Sequence, residues 1–370
     1  MENKYTRRIF EIVREFYGKF LNRVLETVRF GNGTKITTTT TTRRGIATTV
    51  GINSQILRNY IKPNQFNIKS SMGRKVNNEI PEEIEGLYRV EAGYGYCPSK
   101  KRGGKIDTGE DAFFLTENIR NEENGHYVSA FGVSDGVGGW ARMGIDPSAF
   151  SRSLMKNAAK VAEENTTLEP KEILNQSYQR VVESGRVKAG SATACVSMFD
   201  HQTGKLKVAN LGDSGFMVFR EQADGKFRQV QSSSEQTHFF NCPFQIAIVP
   251  KNSNSYSDSP EKADEYTLNL IPGDIVVVAT DGLLDNVFAQ DIAQHLNRET
   301  TCTTMATTLV EHAKGVATNT IRQNETPFAV AARQSGYTWK GGKDDDIVCI
   351  VVRVSDVMDT TPIESPKQSI

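Results

Sequence analysis

The chain is short of cysteine, long apolar runs and net charge, and each shortage removes a class of protein. Its 370 residues include five cysteines, Cys97, Cys195, Cys242, Cys302 and Cys349. The count is odd, the spacings are wide and no CxxC occurs, which argues against a secreted disulfide framework and against a zinc site. Cys195 and Cys349 stand in apolar runs and read as plain core residues. No run of about 20 apolar residues exists, so no transmembrane helix is expected. The front also lacks the uninterrupted apolar stretch of a secretory signal. Five histidines, His126, His201, His238, His295 and His312, show no ligand spacing and read as surface or satisfied core residues. No cysteine lies in a phosphate-cradling loop beside an arginine, and no Ser–His pair is signposted, so no covalent nucleophile stands out.

The formal charge of zero hides an asymmetry. Residues 1–78 hold fifteen Lys or Arg against four Glu and no Asp, a balance of +11, so the remainder carries −11. The front is thus suited to targeting or surface attachment, and the acidic body to cation chemistry or simply to solubility. With 38% hydrophobic and 24% charged residues, the chain is long and apolar enough for one large domain or two ordinary ones.

Residues 7–30 carry the clearest helical pattern. Ile9, Ile12, Val13, Phe16, Phe20 and Val24 share one face, and Arg8, Glu11, Arg14, Glu15, Glu26 and Arg29 the other. Thr37–Thr42 and paired arginines follow. A basic amphipathic helix and a hydroxyl-rich stretch resemble a mitochondrial transit peptide processed near Arg43–Ala47, although Glu11, Glu15 and Glu26 run against that pattern. A helix lying on a membrane surface, or packing on the main domain, are the competing readings. Strands are expected over 128–134, 192–199, 205–210, 216–220, 266–271, 275–279 and 347–354. Helices are expected over 147–164, 169–183, 289–298 and 303–317. Strands in succession broken by helical blocks predict an α+β fold of antiparallel sheets covered by helices. Residues 221–263 are polar and read as a long exposed connection. The expected division is a targeting segment over 1–48, a linker over 49–89, a folded domain over 90–355 and a disordered tail over 356–370.

What the chain does have is a series of aspartates beside small or acidic residues. Asp111 lies in GEDAFF, Asp135 in FGVSDGVGGW, Asp213 in NLGDSG, Asp281 in VVVATDGLLDNV and Asp345 in KDDDIVCIVV. Asp135, Asp281 and Asp345 directly adjoin strand-like runs. After Asp135, a glycine-rich turn exposes the carboxylate and bares backbone carbonyls, both ligands for a hard cation. Asp344, Asp345 and Asp346 repel one another unless a cation or strong hydrogen bonding holds them. Any one of these is a common acidic turn. Several of them abutting apolar strands point to a shared site for Mg²⁺ or Mn²⁺, and to a two-metal hydrolase.

The ordered series GEDA, FGVSDGVGGW, GSATACV, NLGDSG, ATDGLLDNV and DDDIVCIVV, spanning about residues 90–354, resembles the metal-dependent protein phosphatases of type 2C. VSDGVGGW, NLGDSG and THFFNCPFQ look like the branch with mitochondrial members. The resemblance implies a sandwich of two antiparallel β-sheets flanked by α-helices on both sides, with two Mg²⁺ or Mn²⁺ ions at one edge. It implies Asp111, Asp135, Asp281 and Asp345 as metal-holding catalytic residues and the Gly136 carbonyl as a ligand. Glu110 would act through water, and Asp213 would serve a third, weaker metal. Asp346 would be supportive, and Gly190, Ser191 and Thr193 structural. The implied reaction is hydrolysis of phosphoserine and phosphothreonine by a water that the two cations acidify. The implied partners are phosphoprotein substrates, with no nucleic acid and a monomeric enzyme. The front of the chain would meet import machinery or a membrane. Mitochondrial localisation is expected, with cytoplasmic or membrane-peripheral placement as the alternative. Two positions depart from the family's commonest pattern: Ile106 stands where many members carry a phosphate-gripping Arg, and Val137 where many carry His. Arg102, Lys105 or Arg142 are candidates to replace the Arg, and a metal-bound water to replace the His as proton donor. Those departures motivate a rival reading, a catalytically weak phosphatase fold that binds phosphoproteins as an adaptor. A third is a hydrolase of small phosphoesters, which a deep closed pocket would favour.

Overall fold

The computed structural model describes residues 88–99, 107–122, 125–251, 255–319 and 325–357. The helix expected over 7–30, the threonine run, the linker up to residue 87 and the tail after residue 357 lie outside the described residues.

Strand alternation organises the layers. In β13 (Ile275–Ala279) all five side chains are buried. Ile275, Val277 and Ala279 join one apolar cluster, and Val276 and Val278 join another, as the two-residue period of a strand covered on both faces requires. The first sheet runs β1 (Tyr88–Cys97), β14 (Ile347–Asp356), β13, β7 (Gly215–Glu221) and β8 (Phe227–Ser232). The second runs β12 (Asp264–Asn269), β6 (Lys205–Leu211), β5 (Ala194–Asp200), β3 (Tyr127–Ser134) and β2 (Ala112–Arg120). Every pairing within them is antiparallel. Phe131, Val133, Phe199 and Val208 of the second sheet meet Phe216, Val278, Ile350 and Val352 of the first in the central core.

Helices cover the outer faces. On the second sheet lie α1 (Ser148–Glu164) and α2 (Pro170–Ser184), through Phe150, Leu154, Ala158 and Val161 of α1 and Ile173, Leu174 and Val181 of α2. Pro170 opens α2 at a position that needs no amide donor, and Gly185 closes it in the left-handed conformation. On the first sheet lie α3 (Asp281–Leu284), α4 (Ala289–Gln294) and α5 (Cys302–Ala317), through Leu283, Ile292, Met305, Leu309 and Ala313. A last helix, α6 (Pro327–Gln334), precedes the loop to β14. This is the α+β sandwich that the sequence predicts. Two glycines of β1 let α5 sit close: a Cβ on Gly93 would stand 2.1 Å from the Thr303 nitrogen, and one on Gly95 would stand 2.9 Å from the Ala306 carbonyl oxygen.

Several expectations need correction. Residues 221–263 are not one open connection. They hold part of β7, then β8, β9 (Thr237–Phe239), β10 (Cys242–Pro243) and β11 (Ile246–Ile248). Of these, β9 pairs with β10, and β11 with β4 (Gly190–Ala192). These ribbons are only two or three residues long, too short to show an alternating pattern; β9 is exposed, whereas β11 and β4 are largely buried. At the two ends of the described core, β1 and β14 pair from Tyr88–Asp356 to Cys97–Ile347. The strand expected over 192–199 breaks at Thr193 into β4 and β5.

Replacing Gly93 by Val should press a side chain into the backbone of α5. The expected loss is about 1–3 kcal/mol or more, read as a lower urea midpoint with an unchanged slope; an unshifted midpoint would show that α5 can move away.

Candidate metal centre

The pairing register brings the acidic turns to one end of the two sheets. Ala112 of β2 pairs with Ser134 of β3, so Asp111 and Asp135 flank the same strand ends. The chain crosses from β6 to β7 through Asp213, and Gly215 of β7 pairs with Ala279 of β13, two residues before Asp281. Ala279 also pairs with Cys349, and the Thr280 amide donates to the Val348 carbonyl, which sets Asp281 near the start of β14 and hence near Asp345. Oxygens of Asp135, Asp213 and Asp281 lie within 4.8 Å of one another. Asp111 is buried beside them, its Oδ2 accepting from the Thr280 hydroxyl at 2.8 Å.

The surrounding contacts hold backbone rather than carboxylates. Asp346 accepts from the Ser99 and Glu110 amides, each at 2.7 Å, and so ties β14 to the GEDA turn. Glu110 receives the Gly136 amide on its carbonyl at 3.2 Å. A Cβ on Gly136 would come 2.6 Å from that carbonyl, and one on Gly138 2.6 Å from Glu110 Oε2. Thr193 Oγ1 accepts the Asp135 amide at 3.1 Å. Trp140 is buried, and its indole N–H donates to Ser191 Oγ, which donates onward to Gln245. Ser191 and Thr193 thus brace the glycine-rich turn, and Trp140 is a core residue with its one polar atom satisfied. Of the residues considered for the missing Arg, Arg102 and Lys105 lie outside the described residues, as does Ile106; Arg142 is exposed on the 3₁₀ turn that continues the glycine loop. Four histidines bond elsewhere: His201 to Ser129, His238 to Asp258, and His295 and His312 to each other.

Sequence reasoning missed Lys343. Its ammonium contacts the Asp281 carboxylate, Asp285 Oδ2 at 2.9 Å and Asp345 Oδ2 at 3.2 Å. In GGKDDD it is a lone Lys in a loop beside an acidic triplet, and such a residue carries no spacing signal. Asn286, also missed, accepts the Lys343 amide and donates to the Lys343 carbonyl, each at 2.9 Å.

The electrostatics follow from burial. Asp111, Asp135 and Asp213 are held well above the ordinary carboxylate range, first by burial and then by neighbouring carboxylates, Asp281 among them. Asp281 and Asp345 are raised for the same first reason, with Lys343 pulling the other way. Burial works against the Lys343 charge, but Asp281, Asp285 and Asp345 outweigh it and keep the group protonated. Asp111 Oδ1, Asp213 Oδ1 and Asp281 Oδ1 are buried with no hydrogen-bond partner. Buried carboxylate oxygens of this kind are costly unless a cation meets them. An all-oxygen donor set fits a hard divalent ion such as Mg²⁺ or Mn²⁺.

Comparison with known proteins places this geometry among relatives. The family "Stage II sporulation protein E (SpoIIE)" matches residues 128–355. A Danio rerio "Protein phosphatase PTC7 homolog" is 36% identical over 73% of this chain and 90% of its own length. "Protein phosphatase 2C homolog 7, mitochondrial" of Saccharomyces cerevisiae is 36% identical over 67% of this chain and 74% of its own. The structure of the photosystem II phosphatase PBCP superposes with a TM-score of 0.58 at 28% identity, covering 72% of this chain and 98% of that one.

A carboxylate whose pKa is raised on folding binds more protons in the native state than in the unfolded one. Stability is therefore greatest below the unfolded value and falls as pH rises through the window up to the folded value. The chelator-treated protein should lose thermal stability as pH climbs from about 4. At neutral pH, Asp213→Asn should raise its melting temperature by about 2–4 °C for each kcal/mol of repulsion relieved. A melting temperature lowered by that change would show that Asp213 is already compensated.

Proposed function

This chain belongs to the PP2C-type protein phosphatases, and from that membership we propose that it is a Mg²⁺- or Mn²⁺-dependent protein serine/threonine phosphatase. The observation that carries the metal reading is the buried, unpartnered oxygen on each of Asp111 and Asp281, with an Asp135 oxygen within 4.8 Å of one on Asp281. Asp111, Asp135, Asp281 and Asp345 would hold two ions, with the Gly136 carbonyl as a further ligand and Glu110 acting through water. When bound, the ions supply a water acidic enough to attack phosphorus near neutral pH and offset the phosphoryl charge.

The residues of the chain do the positioning. Asp346 and Glu110 lock the GEDA turn to β14, and Thr193 and Ser191 hold the Asp135 turn. A covalent thiol route has no support: burial pushes the Cys195, Cys302 and Cys349 thiols far up, away from thiolate. Two cavities, of about 470 and 290 Å³, are lined by Tyr94, Cys97 and residues of α5 and by Asn121, His126, Val128 and Lys207, and none of the site carboxylates lines either. The yeast relative's name carries the word mitochondrial, and the basic amphipathic pattern of residues 7–30 supports the same address here, with residues 1–48 as the targeting segment and 90–355 as the catalytic domain. No described helix is long and apolar enough to cross a membrane.

Residues 80–370 should release phosphate from a phosphothreonine peptide with Mn²⁺ or Mg²⁺ and stop with chelator. Asp281→Asn should lower that rate by at least about 100-fold. A folded, metal-loaded protein with no turnover would instead favour the phosphoprotein-binding adaptor. A fusion of residues 1–50 to a fluorescent reporter should enter mitochondria; diffuse cytosolic signal would remove the targeting reading.

A further inference from the structure

Lys343 is the one cation described among the convergent carboxylates, and its place is built. Its loop is clamped on both sides of the peptide by the Asn286 side-chain amide, which also donates to the Gly282 carbonyl at 2.9 Å. Gly342 sits so tightly that a Cβ would stand 2.6 Å from the Ala317 Cα, the Asn286 Oδ1 and the Val316 carbonyl oxygen. The backbone therefore cannot slide, and the lysine leaves it at a fixed point. Its ammonium then meets Asp281, Asp285 and Asp345, with the Phe328 ring face 5.2 Å away. An ammonium between carboxylates and an aromatic face is held by charge and by the ring quadrupole together.

The consequence lies on the Asp213 side. Asp281 serves both directions: Oδ2 receives Lys343, whereas Oδ1 is buried without a partner, and an oxygen of Asp281 lies within 4.8 Å of one on Asp213. A divalent ion shared by Asp213 and Asp281 would therefore sit close to a fixed positive charge in a poorly solvated place. Like charges at that range repel strongly where water is scarce. We infer that the Lys343 ammonium is the resident third cation of this centre, occupying the electrostatic role of a third, weakly held divalent ion, so that the chain binds two ions and not three. The inference rests on the metal reading above and deepens it, because it assigns the count of ions to a side chain.

The test counts ions rather than turnover. Mn²⁺ would be titrated into the full chain and the free ion followed by its solution paramagnetic resonance signal, with equilibrium dialysis as a second count. Wild type should bind two Mn²⁺. Lys343→Arg, which keeps the charge, should also bind two. Lys343→Met and Lys343→Gln should bind a third ion, with affinity at that position raised at least about tenfold over wild type. Circular dichroism would establish that each variant is folded. Three ions in wild type would overturn the inference on that measurement alone, whatever the variants do. A folded K343M or K343Q that stays at two ions would overturn it as well. Wild type that binds no Mn²⁺ would instead remove the metal reading itself, and this inference with it.

Discussion

Everything at the site depends on one electrostatic constraint: several carboxylates are held together at the ends of two sheets, out of bulk water, where their charges oppose one another. Asp111, Asp135 and Asp213 are all pushed toward their neutral forms, first by burial and then by neighbouring carboxylates, Asp281 among them. A fold keeps such a cluster only if rigid elements leave the side chains no room to separate, or if positive charge is supplied. This chain does both. The sandwich core fixes the strand ends, and Lys343 supplies one positive charge from within.

The rigidity comes from layers that pack independently of the chemistry. Alternating residues of β13 serve the central core and the helix layer at once, so a shift of one residue would exchange the two faces. That register decides where Asp281 emerges. Thr280 transmits it further. Its hydroxyl accepts the Val348 amide at 2.9 Å and donates to Asp111, so a single side chain ties β13, β14 and the turn before β2. The carboxylates are therefore placed by backbone pairing and by hydroxyl and amide contacts. Asp111, Asp213 and Asp281 each keep one buried oxygen without a partner.

Much of this was legible in the sequence, and the misses have physical reasons. The central strands declared themselves through uninterrupted Val and Ile runs, as in Ile275–Ala279. Asp346 was legible as a supporting residue through the family resemblance, and it does staple two amides. The ribbons β9, β10 and β11 were not legible, because their residues are few and their pairing is set by contacts with β4 and the Asp213 turn. The split of the 192–199 run at Thr193 was hidden too, since Thr193 favours strands, and the break comes where its amide donates to the Asp135 carbonyl and its carbonyl accepts the Ser134 hydroxyl.

The sequence by itself determined the layered α+β class, the apolar strands and the acidic turns that end them, because strand alternation and turn chemistry are local and leave a periodic trace. Only the tertiary structure decided which acids meet, that Thr280 joins three segments, and that Lys343 reaches back to Asp281 across 62 residues. Those outcomes depend on pairing register and on the clamp that Asn286 places on a loop far along the chain. Neither leaves a periodic pattern in the residues that it brings together.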